Sequence, residues 1–258
     1  MSRSTVLTET HDAIRTITLD RPEARNAISR TLMREFSAAL DAASADDAVR
    51  VVILTGAGDA FCAGMDLKEF GQLEESPGNG PRPDCWRSMA ACPKPIIGAI
   101  NGAAITGGFE VALACDVLIA GESARFADTH GRVGVLPGAG LSQRLGRAVG
   151  IYRAKYLSLT GNFLSAREAA EWGLVSHVVP DDELMSTARR VAEDMLGLMP
   201  HMLPGVKALI DDGFATSFEE GMALEQRRSQ QQIAQMKPQQ GASAAFEAVR
   251  ERGRSQKR

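Results

Sequence analysis

Short apolar runs that suit buried strands alternate with helical patterns through the first two thirds of the chain. Arg50–Thr55 contains four consecutive apolar residues, which is typical of a strand covered on both faces. Pro95–Ile100 and Asp116–Ala120 have the same character, and Ile14–Leu19 and Leu174–Val179 add two further strands. The alternation with helices predicts an α/β fold with largely parallel strands.

The helices carry clear start signals. Leu32, Phe36 and Leu40 recur every four residues behind Ser29, a suitable N-cap residue. Ser165-Ala-Arg-Glu168 is a capping box. After Pro180 the strand signals disappear and four helices follow. Their bounds are predicted from the periodicity at residues 184–198 and 204–210, from the capping box at residues 217–220, and from the pattern at residues 242–252. We therefore predict a core over residues 1–198 and a helical C-terminal region over residues 199–258.

Composition excludes several function classes. A net charge of −3 gives no reason to expect nucleic acid or an anionic membrane as a partner. An aromatic content of 5%, with no basic stretch interleaved with aromatic residues, argues further against nucleic acid. The most apolar segment, Pro95–Ile105, is interrupted by polar and glycine residues and is far shorter than a membrane span. The four cysteines form no metal-binding pattern, and with no apolar leader we expect reduced thiols, no metal site and a cytoplasmic location.

Two segments have the character of ligand-binding turns. In Leu54–Lys68 and in Pro95–Asp116, a buried strand runs into a turn of glycine and alanine, where a ligand can approach the backbone closely. Gly107-Gly108 opens an apolar helix whose first N–H groups have no partner within the helix and can receive a negative charge. Glu110 lies in that first turn, where a carboxylate also simply complements the helix dipole.

Taken together, these segments resemble the crotonase superfamily, the enoyl-CoA hydratase/isomerase family. The resemblance extends in order from Asp20 to Val175 and is carried by five motifs: Asp20-Arg-Pro-Glu-Ala-Arg-Asn-Ala27, Phe61-Cys-Ala-Gly-Met-Asp-Leu67, Asn101-Gly with Gly107-Gly-Phe-Glu110, Gly134-Val-Leu-Pro-Gly-Ala-Gly140 and Ala169-Ala-Glu-Trp-Gly-Leu-Val175. It implies a spiral of β-β-α turns followed by a helical C-terminal trimerisation region, and hence a homotrimer or homohexamer.

The resemblance also implies roles for particular residues. The amides of Met65 and Gly107 correspond to an oxyanion hole for a thioester. Residues implied in binding the CoA part of the substrate are Arg25, Ala63, Asp66, Leu67, Lys68, Phe246 and Arg250. Met65, Trp86 and Met89 are candidates to line an acyl pocket, although packing explains them equally well. No further cofactor is implied, because coenzyme A is part of the substrate, and no nucleotide-binding fingerprint occurs.

The main departure from the family pattern is at His130. Glu110 matches one of the two glutamates that hydratases of this family use, but the second position falls on His130 in Phe126-Ala-Asp-Thr-His130. Histidine can act as an acid or a base near neutral pH, so Glu110 and His130 are the predicted catalytic pair. A purely structural role for His130 is the alternative. Asp128, expected on the same face as His130 but further along an extended segment, is a weaker candidate.

The departure leaves three functions open. The first is an enoyl-CoA hydratase, a lyase that adds water to a trans-2-enoyl-CoA. The second is another enolate reaction of a CoA thioester: double-bond isomerisation, hydrolysis or carbon–carbon cleavage. The third is an acyl-CoA binding protein without turnover.

Overall fold

The computed structural model describes residues 3–70, 84–235 and 242–255, which form a mixed α/β fold. The glycine and proline residues within residues 71–84 predict a surface loop. Apart from Asp84, this segment lies outside the described residues. The strands are β1 (Val6–His11), β2 (Ile14–Leu19), β3 (Val51–Gly56), β4 (Ala60–Cys62), β5 (Ile96–Ile100), β6 (Ala103–Ile105), β7 (Val117–Gly121), β8 (Arg125–Ala127), β9 (Phe163–Ser165) and β10 (His177–Val179). The α-helices are α1 (Arg30–Ala45), α2 (Leu67–Phe70), α3 (Cys85–Ala91), α4 (Gly107–Leu113), α5 (Leu141–Val149), α6 (Ile151–Thr160), α7 (Ala166–Glu171), α8 (Leu184–Leu196), α9 (Met202–Phe214), α10 (Phe218–Gln235) and α11 (Ala242–Ser255).

The central sheet has the strand order β1-β2-β3-β5-β7-β10. β1 pairs with β2 in antiparallel orientation, and the other neighbours are parallel. Every residue of β3 and of β5 is buried, as the continuous apolar runs predicted. Two differences from the sequence prediction lie in this sheet: β1 was not predicted, and β10 begins at His177 rather than at Leu174.

Four strands of three residues each form a second sheet, in the order β4-β6-β8-β9. β3, β5 and β7 lie in the central sheet, and the strand that follows each of them, β4, β6 or β8, lies in the second sheet. A helix follows each pair: α2, α4 and, after a turn, α5. The chain therefore winds through successive β-β-α units, and this repeat confirms the predicted spiral. The parallel second strands end side by side.

Side chains alternate across β3, so this strand contributes to two apolar layers. Val52 and Leu54 join the layer that contains one face of α1, whereas Val51 and Ile53 join the layer that α8 covers. The α8 residues in that second layer are four apart: Leu184, Ala188 and Ala192. Because both faces of the central sheet are buried against apolar side chains, the sheet is stabilised strongly. Strands β4, β6 and β8 of the second sheet follow directly from the ends of its strands.

The chain divides into two compact units, Met1–Lys207 and Ala208–Arg258, and the division falls within α9. Within the second unit, Arg228 of α10 donates to the carbonyl oxygen of Ala208 at 3.0 Å and pairs with Asp212 at 2.6 Å. The capping box predicted before α10 is present, since Ser217 and Glu220 each accept a hydrogen bond from the other's main-chain N–H. In the part of the chain that the structure describes, no helix has the length and apolarity needed to cross a membrane.

Candidate active site

The turns that follow β4 and β6 come into close contact. Gly64 has a φ of +94°, and a Cβ on it would stand 2.8 Å from the carbonyl oxygen of Ile105. A Cβ on Gly108 would overlap the carbonyl group of Cys62. Only glycine permits both approaches, so these two residues let the start of α4 lie directly against the Ala63–Met65 turn.

Two main-chain N–H groups, those of Met65 and Gly107, lie close to this contact. Ile28 bridges the residues on either side of Met65: its N–H donates to Gly64 at 2.7 Å and its oxygen accepts from Asp66 at 3.1 Å, so the N–H of Met65 points away from Ile28. Gly107 is the first residue of α4, and its N–H therefore has no acceptor within the helix. A Cβ on Gly107 would stand 3.5 Å from the nitrogen of Met65. Within the described residues, no acceptor takes either N–H.

Thr106, directly before Gly107, has a strained backbone. Its φ of 55° and ψ of −113° are unusual for a β-branched residue, and such a conformation costs on the order of 1–3 kcal/mol. Its N–H donates to Ala127 at 2.9 Å, and its hydroxyl makes a hydrogen bond with the hydroxyl of Thr129. These bonds tie the turn that carries Gly107 to the segment that leads into His130.

The Glu110 carboxylate is buried, and its two oxygens face different groups. Its Oε1 accepts hydrogen bonds from the N–H groups of Ala139 at 2.7 Å and of Leu141 at 3.4 Å. Its Oε2 lies 3.7 Å from Nε2 of His130, which is too far for a hydrogen bond. The carboxylate is thus anchored through one oxygen, while the other oxygen faces the imidazole.

His130 is held by Asp128. His130 opens a 3-10 turn, and Oδ1 of Asp128 lies 2.7 Å from its Nδ1 while accepting the His130 N–H at 3.2 Å. The expectation that Asp128 lies further along an extended segment is wrong, because the chain turns after Asp128 and brings the two side chains together. Glu110, Asp128 and His130 are all buried, with exposed fractions of 4%, 3% and 6%.

A cavity of about 900 Å³ opens over these groups. Of the residues predicted from the sequence, it is lined by Ala63, Met65, Asp66, Leu67, Lys68, Trp86, Glu110 and His130. Met89 is buried in the core instead. Arg25 is exposed and is not among the lining residues that the structure describes. Arg250 is exposed on α11, and the side chain of Phe246 on the same helix lies outside the described residues.

Sequence reasoning missed Arg21, which also lines the cavity. Its guanidinium lies 2.7 Å from Oδ2 of Asp66, and this hydrogen bond lowers the pKa of the Asp66 carboxyl despite its burial. The same guanidinium donates to the carbonyl oxygen of Ala27 at 3.0 Å. A mostly buried carboxylate is stabilised by a nearby cation. A search for a basic residue that could pair with Asp66 would therefore have made Arg21 a candidate.

Cys62, beside the turn of Met65, is not suited to nucleophilic catalysis. Burial raises the pKa of its thiol to about 12, so the reactive thiolate is essentially absent near neutral pH. Within the described residues, no three His, Cys, Asp or Glu side chains are grouped so as to hold a metal ion. The cavity is therefore lined by the carboxylate of Glu110, the imidazole of His130 and the backbone of Met65. Gly107 is buried beside Met65 and is not among the lining residues that the structure describes.

Known proteins are similar to this chain in sequence and in fold. The family model for enoyl-CoA hydratase/isomerase matches residues 9–252. A probable enoyl-CoA hydratase of Rhizobium meliloti is 40% identical, and the match covers 97% of each chain. An enoyl-CoA hydratase structure from Mycobacterium avium is 47% identical, with a TM-score of 0.73 over 89% of this chain and 99% of that one. One from Geobacillus kaustophilus is 33% identical, with a TM-score of 0.85 over 95% of each. This chain therefore belongs to the enoyl-CoA hydratase/isomerase family of the crotonase superfamily.

Proposed function

We propose that the protein adds water to the double bond of a trans-2-enoyl-CoA thioester. The observation that carries the proposal is the closeness of two N–H groups, from Met65 and Gly107, that have no acceptor among the described residues. Met65 lines the cavity together with Glu110 and His130, and Gly107 is buried beside Met65. The similarity to a probable enoyl-CoA hydratase of Rhizobium meliloti and to an enoyl-CoA hydratase of Mycobacterium avium supports the same reaction.

The two N–H groups are proposed to bind the thioester carbonyl oxygen. When water adds to the β carbon, the electron pair of the double bond moves toward the α carbon and negative charge develops on that oxygen. Hydrogen-bond donors aimed at such a developing charge stabilise the transition state, and removing one donor typically costs about 3 kcal/mol. Because both donors are main-chain groups held by glycine contacts, they are oriented before the substrate arrives.

Glu110 and His130 are proposed to handle the water. Oε2 and Nε2 are separated by 3.7 Å, so one water on the cavity side can contact both atoms. One of them removes a proton as the water oxygen forms the bond to the β carbon. A proton is then delivered to the α carbon, and the thioester carbonyl re-forms. The sum is one water added across one double bond.

The CoA part of the substrate is proposed to follow the turn after β4, along Ala63, Asp66, Leu67 and Lys68. These residues line the cavity, and Lys68 is exposed, so its ammonium is available to a phosphate. The implied contributions of Arg25, Phe246 and Arg250 remain predictions. No cofactor beyond the substrate's own coenzyme A is part of the proposal.

A second candidate reaction is favoured by His130. A hydratase with paired carboxylates uses two acidic side chains, and the second is absent here, so isomerisation, hydrolysis or carbon–carbon cleavage on the same enolate scaffold is the alternative. Binding of an acyl-CoA without turnover is the third.

The test is to incubate the protein with crotonyl-CoA and longer trans-2-enoyl-CoAs while following the absorbance of the conjugated thioester. We expect the absorbance to fall and the product mass to increase by one water, with no free CoA thiol. Lack of turnover at every chain length would rule out the hydratase function. Conversion of a 3-enoyl-CoA to the conjugated isomer would favour isomerase, and released thiol would favour hydrolase. Tight binding of the CoA thioester without exchange of its α protons would favour an acyl-CoA binding protein without turnover.

The proposal includes assembly into a homotrimer or homohexamer. The second unit exposes several large apolar side chains, and contact with a partner subunit would remove them from water. They are Ile210, Phe214, Phe218 and Met222. Sedimentation velocity over a range of protein concentrations tests this part, and a monomer at all concentrations would contradict it.

A further inference from the structure

We propose that Asp128 is a positioning residue that holds the neutral imidazole of His130 in the tautomer with its proton on Nδ1. Nε2 is then the unprotonated nitrogen, and it faces Glu110. The tautomer is inferred from contacts alone. Only the role of Nε2 in catalysis rests on the proposed function.

The tautomer follows from the contacts of Asp128. Its carboxylate has only acceptor oxygens, and Oδ1 lies 2.7 Å from Nδ1 of His130. Two unprotonated atoms would repel each other at this distance, whereas an Nδ1–H group donates a charge-assisted hydrogen bond. In neutral imidazole only one nitrogen carries a proton, so a proton on Nδ1 leaves Nε2 with a free lone pair.

The main-chain bond in the same turn makes the arrangement rigid. Oδ1 of Asp128 also accepts the N–H of His130 at 3.2 Å, so the carboxylate is fixed relative to the backbone that carries the imidazole. The exposed fractions of Asp128 and His130 are 3% and 6%, so water competes little for either bond. The ring is thereby oriented with Nε2 toward Oε2 of Glu110.

This placement gives His130 the part of a general base. Nε2 takes a proton from the water that forms the carbon–oxygen bond, and the resulting imidazolium returns a proton to the α carbon. Oε2 of Glu110 accepts a hydrogen bond from the other O–H of the same water, which stays on the product hydroxyl, and so orients the water. Between the two steps, the Asp128 carboxylate stabilises the positive charge on the ring. An aspartate–histidine pair thus replaces the second carboxylic acid.

The first test is the tautomer itself, read from nitrogen-15 NMR of histidine-labelled protein at a pH above the ordinary range of imidazole titration. The sequence has four histidines, so the His130 signals are identified by their absence in His130→Gln. We expect a proton on Nδ1 in the wild type. In Asp128→Ala we expect it to move to Nε2, because the acceptor is gone. Asp128→Asn is the matched control. Its side-chain oxygen remains anchored by the His130 N–H, so it should keep the Nδ1 proton although the charge is lost.

The second test is turnover on a trans-2-enoyl-CoA. Asp128→Ala should lower kcat by roughly 10²- to 10⁴-fold, the usual contribution of general base catalysis, and change KM little. Asp128→Asn should fall between it and the wild type. In the His130→Gln background, Asp128→Ala should have almost no further effect, since Asp128 acts through His130.

Two results would overturn the inference: a wild-type proton on Nε2, or an Asp128→Ala variant that keeps the Nδ1 proton. Equal additional losses in the His130→Gln background would also overturn it, because they would indicate a purely structural role in the turn. The NMR measurement does not depend on turnover. A wild type with the Nδ1 proton but no hydratase activity would remove the proposed function and support the assigned tautomer.

Discussion

The N–H of Ala139 donates a hydrogen bond of 2.7 Å to Oε1 of Glu110, and this bond turns the other carboxylate oxygen toward His130. The loop before α5 therefore orients a buried carboxylate of α4. Leu141, the first residue of α5, adds a second N–H at 3.4 Å. The direction of Oε2 depends on these two contacts.

Glu110→Gln tests the chemical role of this carboxylate. The amide oxygen can still accept the N–H of Ala139, so we expect the fold and KM to be retained. The loss of the charged oxygen should lower kcat by roughly 10²- to 10⁴-fold. Steady-state kinetics on crotonyl-CoA measures both constants. Glu168→Gln is the control, since Glu168 belongs to an exposed capping box and should affect only stability, by about 1 kcal/mol or less. Comparable kcat values in both variants would contradict the role of Glu110.

Gly108→Ala tests the contact that brings the two N–H donors together. A Cβ there would overlap the Cys62 carbonyl, so α4 must shift away from β4. We expect destabilisation of about 1–3 kcal/mol and a loss of kcat, because Gly107 moves with the helix. Gly146→Ala is the matched control: its Cβ would meet Ile151 at an ordinary 3.8 Å, within a helix that alanine favours. Urea unfolding and kinetics should therefore separate the two variants. A Gly108→Ala protein with wild-type kcat would show that the donors do not need this contact.

Lys68→Ala tests the proposed phosphate contact. The side chain is exposed, so its pairing with a phosphate is screened by solvent and should contribute about 0.5–1 kcal/mol. We expect KM for a CoA thioester to rise about two- to fivefold at unchanged kcat, and less so at high salt. An N-acetylcysteamine thioester, which lacks the phosphates, should show no change. Lys155→Ala, an exposed lysine on α6, serves as control. An equal effect on both thioesters would rule out the phosphate contact.

Asp66→Asn tests the ion pair with Arg21 through its pH dependence. The hydrogen bond from Arg21 lowers the pKa of Asp66 in the folded state below its ordinary value of 3.8. The pair therefore stabilises the fold at pH values above the ordinary value, and this stabilisation is lost as the pH falls through the lowered one. Near neutral pH, we expect the wild type to exceed Asp66→Asn by about 1 kcal/mol.

The measurement for this pair is thermal unfolding of both proteins at one protein concentration across an acidic pH series. The difference in stability should shrink as the pH falls below 3.8. A difference that stays constant to low pH would mean that the asparagine acts through packing or through the hydrogen bond that Oδ1 of Asp66 accepts from the N–H of Lys68 at 3.0 Å, not through charge.

Local patterns predicted local structure well. The capping boxes at Ser165 and Ser217 form as expected, because both partners lie within one helical turn. The long apolar runs predicted β3 and β5, since strands covered on both faces need apolar residues throughout. The resemblance also placed Glu110 and His130 at one cavity, because the spacing of its motifs follows the repeat of the spiral.

The second sheet could not be predicted in the same way. Its strands have three residues each, which is too short for a period-two pattern to stand out. β4 pairs with β6, which follows only after α2, α3 and β5, so the partner that stabilises it is far along the chain. The position of Arg21 at the cavity could not be predicted for the same reason, because its partner Asp66 is distant in sequence.

By itself, the sequence determined the family, the buried strands of the central sheet and the identity of the catalytic candidates, because these depend on residue type, periodicity and motif order. Tertiary structure alone decided that the backbones of Met65 and Gly107 lie side by side, and that Asp128 contacts His130 rather than lying beyond it. Hydrogen bonds depend on angstrom-scale distances between atoms, and those distances are set by how the turns of the spiral pack on one another.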